Sequence, residues 1–140
     1  MKNLIIAVWS LFLLISCSSS PSNSTPTVSS SIYNPPSWIQ GTWGRKANGA
    51  GQTDQAYYKF TTDNICQLTG GFSSQCWKES INTSPQILSG SETITSDTYT
   101  ANFISSGGAS TLTLSFKKVS ATKILWINTS SGDIPLDKLN

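Results

Sequence analysis

The chain has 140 residues, with 9 Lys or Arg against 7 Asp or Glu, three cysteines and no histidine. The missing imidazole excludes Ser-His-Asp and Cys-His catalysis and every histidine-based metal or proton-transfer site. The charges are few and scattered, which argues against a nucleic-acid surface, where cations gather into a patch or stripe.

At the N-terminus, Lys2 precedes an apolar run from Leu4 to Ile15 broken only by Ser10. That run is too short to span a bilayer, which takes about 20 apolar residues. A charged start, a short apolar middle and a small residue before a cysteine describe a secretory signal over residues 1–16. The quartet Leu14-Ile15-Ser16-Cys17 resembles the lipobox of bacterial lipoproteins. The resemblance implies cleavage after Ser16, a diacylglyceryl group on Cys17 and acylation of the new amino group. Two lipid signals already give stable attachment, so membrane lipid is the partner expected at Cys17. Ser18 follows the cysteine and no acidic residue occurs before Asp54. In lipoproteins of this kind that implies the outer membrane, facing the periplasm.

Residues 17–37 read as the lipidated cysteine and a tether. From Ser18 to Ser37 all but Val28, Ile32 and Tyr33 are Ser, Thr, Pro or Asn. Such a composition buries too little apolar surface to offset chain entropy. As a flexible chain its reach is about 25 Å. The folded domain is then expected over residues 38–140, a length suited to one core.

Within that domain the pattern has period two. Ala56, Tyr58 and Phe60 share one face, as do Tyr99, Ala101 and Phe103, and then Leu112, Leu114 and Phe116. Turn clusters separate the runs at Thr61–Asn64, Thr69–Gly71, Thr95–Asp97, Ser105–Gly108 and Ser130–Asp133. Short alternating strands with frequent turns predict an all-β fold, an antiparallel up-and-down meander of about eight strands closed into a small barrel. No stretch shows helical periodicity. Cys66 and Cys76 lie either side of Gly71, so a hairpin turning there places them opposite each other and predicts a disulfide. Two cysteines without histidine do not make a structural zinc site. In the same register Asp63 faces Glu79, and Glu79 shares a strand face with Trp77 and Ile81. An exposed edge charge is the ordinary reading of that carboxylate, and no catalytic residue, metal or cofactor is expected.

In "SWIQGTWG", Gly41-Thr42-Trp43 resembles the G-x-W motif that opens the first strand of lipocalins, and Asp97-Thr98-Tyr99 is similar to their T-D-Y turn. The resemblance implies a short lipocalin-like barrel plugged at one end by Gly41 and Trp43. In that family an arginine packs over the tryptophan. Here no arginine follows Arg45, which leaves Lys123 or Lys138 for that place. An eight-stranded interior is either filled by side chains or holds one small ligand. Tyr58, Phe60, Trp77, Tyr99, Phe103, Leu112, Leu114 and Phe116, with Trp126, are the residues expected to line it. The first reading of function is therefore a lipid-anchored carrier of a small apolar or amphipathic ligand, with a small cavity at most. The alternative is a protein-binding module with a filled core, an inhibitor or envelope-assembly accessory with an envelope protein as partner. Tyr33 and Trp38 are the aromatics expected just outside the barrel.

Overall fold

Apolar–polar alternation becomes strand along most of the domain. The computed structural model describes residues 32–69 and 73–140. Its strands are β1 (Gly41–Arg45), β2 (Gln55–Phe60), β3 (Ile65–Thr69), β4 (Ser73–Cys76), β5 (Leu88–Ile94), β6 (Thr98–Ser105), β7 (Ser110–Lys118), β8 (Lys123–Ile127) and β9 (Ile134–Leu139). One helix, α1 (Trp77–Thr83), lies between β4 and β5.

All nine strands form one antiparallel sheet in the order β4-β3-β2-β1-β9-β8-β7-β6-β5. Sequence neighbours other than β4 and β5 pair with one another, and the first strand, β1, pairs with the last, β9. The sheet curls into a half-barrel whose ladder stays open between β4 and β5. The expected all-β meander is present, with one strand more than expected and with a seam where closure was expected. The turn clusters fall where strands reverse. "TTDN" joins β2 to β3, "TSD" joins β5 to β6, and "SSGG" joins β6 to β7 through residues at positive φ, Ser106, Gly107 and Gly108.

The helix corrects the sequence reading of residues 77–83. Trp77, Glu79 and Ile81 fit period two, but Trp77 and Ile81 also sit at i and i+4, one face of a helix. That helical face is buried against the core. The N-cap residue Cys76 gives no side-chain hydrogen bond. Asn64, from the β2–β3 turn, does the capping instead. Its Oδ1 accepts the N–H groups of Ile65 (2.8 Å) and Lys78 (3.0 Å), and its Nδ2 donates to Glu79 Oε2 (2.6 Å). Asp63 therefore meets the Lys78 ammonium, not Glu79. The hydrogen bond from Lys78, and then that from Thr61, hold the Asp63 carboxyl below its ordinary range.

The ordered packing begins before Trp38. Tyr33 is 0% exposed, and Ile32 packs against the same core. Residues 32–37, read above as the end of the tether, are thus part of the folded body. We call residues 32–34 the strap.

Candidate functional site

The interior face of the half-barrel is the natural place to look for a site, and its residues touch one another. Phe60 meets Phe116 at 5.1 Å between ring centroids and Tyr99 at 6.0 Å, both edge-on. Tyr58 stands edge-on to Phe116 (5.3 Å) and Trp126 (5.2 Å). Trp77 packs on Phe103 at 5.3 Å. The edge-to-face contacts of Phe60 and Tyr58 have a favoured geometry for aromatic quadrupoles. Of the eight residues expected to line a ligand, Tyr58, Phe60, Trp77, Tyr99, Leu114 and Phe116 are buried in this cluster, and Phe103 packs against it half-buried. Leu112 departs from the expectation. It lies beside Phe103 near the β6–β7 hairpin, where the sheet gives it little cover, and it is 45% exposed.

Trp43 of the G-x-W segment belongs to the same buried cluster. Trp43 is fully buried and donates its indole N–H to the Ile39 carbonyl at 2.5 Å. The Lys138 ammonium lies 5.5 Å from the centre of the Trp43 ring, a cation–π contact. Lys138, not Lys123, therefore covers the tryptophan, while Lys123 lies 3.8 Å from Asp137. Gly41 makes room for this arrangement. Its φ is +128°, and a Cβ there would stand 2.7 Å from Lys138 Cε.

The seam is closed by two pieces that add nothing to the sheet ladder, α1 and the strap. Tyr33 packs edge-on against Trp77 at 5.7 Å. Its hydroxyl donates to the Asn102 carbonyl at 2.7 Å. The ring fits because β5 carries Gly90 beneath it, where a Cβ would be 2.3 Å from the Tyr33 hydroxyl oxygen. The N–H of Asn34 then donates to both oxygens of Glu92 (3.0 and 2.9 Å), and the Tyr99 hydroxyl donates to Glu92 Oε2 at 2.9 Å. Desolvation, with the Glu92 charge second, pushes the Tyr33 and Tyr99 phenols far above their ordinary range. Desolvation alone raises Tyr58 to about 12. The sequence reading missed Gly90 and placed Tyr33 outside the barrel. A lone glycine within the strand "LSGSETI" was the available signal, since such a glycine often marks the close approach of another chain segment.

Cys66 and Cys76 are register partners on β3 and β4 and form a disulfide, as expected from their spacing. Two open clefts flank this bridge. One, of about 740 Å³, runs between β4, α1 and Leu88. The other, of about 470 Å³, is lined by residues including Lys59, Asp63, Cys66 and Leu68. Both include Ser74, Cys76 and Glu79. The expected signal segment, residues 1–16, and the residues Cys17 and Gly71 lie outside the described residues.

No protein-family model, curated protein or solved structure matches the chain.

Proposed function

We propose that this chain is an envelope lipoprotein, held through acylated Cys17 to the outer membrane on its periplasmic side, and that its lipocalin-like domain is a protein-binding module. The observation that carries the reading is the filled interior. The inward aromatics spend their surface on each other, and Tyr33 fills the remaining gap at the seam. Packing of this kind among the described residues supports a domain that acts through its surface. The region around β4 and α1 suits that role, because it combines a sheet edge that is unpaired among the described residues with two adjoining clefts. An unpaired edge offers backbone donors and acceptors to an incoming extended segment.

Photo-crosslinking in cells tests the module. A crosslinker at the exposed residue Gln75 should capture one discrete envelope protein, and a crosslinker at the exposed Thr113 on β7 should not. Titration of the full chain with a fluorescent fatty-acid probe tests the competing carrier reading, which the partial exposure of Leu112 and Phe103 favours. The module predicts no saturable binding. Saturable one-to-one quenching that is lost in Phe103→Trp would establish the carrier instead.

A further inference from the structure

Away from the interior, the β1–β2 connection folds against the outer side of β8 and β9. A cleft of about 320 Å³ opens there, lined by residues including Arg45, Lys46, Asn48, Gln52, Lys123 and Asp137. Hydrogen bonds order the loop that forms its wall. Ala47 N–H donates to Asp54 Oδ1 (3.0 Å), Asn48 N–H to Gln52 Oε1 (3.3 Å) and Gln52 N–H to the Gly49 carbonyl (3.2 Å). Cations scattered in sequence converge here, including the chain's one arginine. Asp137 stands 3.8 Å from Lys123. Among the described residues, Arg45 and Lys46 form no ion pair.

We propose that this cleft binds an oxyanion of the phosphate class. Arg45 has the planar fork of donors that matches phosphate oxygens in pairs, Lys46 adds a point charge, and both sit within reach of one small volume. Asn48, Gln52, Thr53 and Gln55 complete the lining with neutral donors and acceptors, which suits a phosphate carried on a hydroxylated group. The volume is at the small end for ligand sites and fits a headgroup rather than an extended chain. The phosphate could come from a phospholipid headgroup or from a free phosphate. The proposal is independent of what the interior or the seam does.

The test follows amide signals of the full chain in uncharged detergent micelles, titrated with inorganic phosphate. Saturable shifts confined to residues 45–55 and 123–137 are expected. Arg45→Gln and Lys46→Gln should each weaken binding roughly tenfold, the usual scale for losing a hydrogen bond to a charged group. Asp137→Asn should strengthen binding, because it removes a like charge and releases Lys123, and a gain of this kind cannot come from misfolding. Doping the micelles with phosphatidylglycerol, against phosphatidylcholine as control, distinguishes the sources. Shifts with the anionic lipid identify a headgroup, and shifts with inorganic phosphate alone identify a free anion. Absence of saturable shifts with both, or affinity unchanged in the Arg45 and Lys46 variants, overturns the proposal.

Discussion

Tyr33 and Gly90 are one packing unit divided between two distant parts of the chain. Gly90 leaves out a side chain on the inner face of β5, and Tyr33 supplies the missing bulk from the strap. Gly90→Ala should therefore cost about 1–3 kcal/mol through overpacking. Tyr33→Ala should cost about 3 kcal/mol or more, on the scale of deleting a buried aromatic ring. The two changes share one volume, so they should not add. In a Tyr33→Ala background most of the Gly90→Ala penalty should disappear, leaving what the Ile32 contact contributes. Urea denaturation of the four chains closes this cycle, and full additivity would show that Tyr33 does not occupy the space over Gly90. Trp38 behaves differently, because its indole N–H is buried with no hydrogen-bond partner among the described residues. Trp38→Phe removes an unsatisfied donor and should leave stability nearly unchanged. A loss above about 3 kcal/mol, the scale of deleting the whole ring, would mean that the indole has a partner.

At the scale of elements, the disulfide and the strap each hold one side of the seam. The Cys66–Cys76 bridge fixes β4 against β3 immediately before α1 begins. Its removal by Cys66→Ala with Cys76→Ala should lower stability by about 3 kcal/mol in the chain-entropy view of a short loop. Without reduction, the tryptic peptide spanning residues 60–78, which holds both cysteines, should weigh two hydrogens less than its dithiol form and resist alkylation. The strands whose inner and outer faces alternate cleanly, β2, β6 and β7, were legible in the sequence, as were most of the turns between them. The hairpin register that pairs Cys66 with Cys76 was legible too. α1 was not, because 77, 79 and 81 satisfy period two while 77 and 81 satisfy a helix, and seven residues are too few to separate the two. The decisive group was Asn64, whose capping bonds come from another turn and leave no mark within residues 77–83. The strap was hidden by its setting. One tyrosine among serines and prolines reads as tether, and the inner face of β5 looks weak because half of what fills it comes from elsewhere. The Trp43–Lys138 contact was legible only as a choice between two lysines.

For the whole molecule, the question of carrier or module reduces to whether water or ligand reaches the interior, and its tyrosines report on that. A phenol in water loses its proton at about pH 10. In the folded chain, burial raises Tyr58 to about 12 and moves Tyr33 and Tyr99 higher still. Between about pH 10 and 12 the unfolded chain therefore holds fewer protons than the folded one, and stability must fall as pH rises through that window. Below about pH 10 both states hold these protons, and the contribution of the three phenols is fully present. Denaturant midpoints should thus decline steeply only on the alkaline side, and Tyr58→Phe should flatten the decline. Phenolate absorbance sharpens the test. In a filled core the phenolates of Tyr33, Tyr58 and Tyr99 should appear together, at the pH where near-ultraviolet circular dichroism collapses. Gradual phenolate formation with the aromatic dichroism intact would mean that solvent enters the folded interior. A wet interior has room for a ligand, and that outcome would return the function to the carrier.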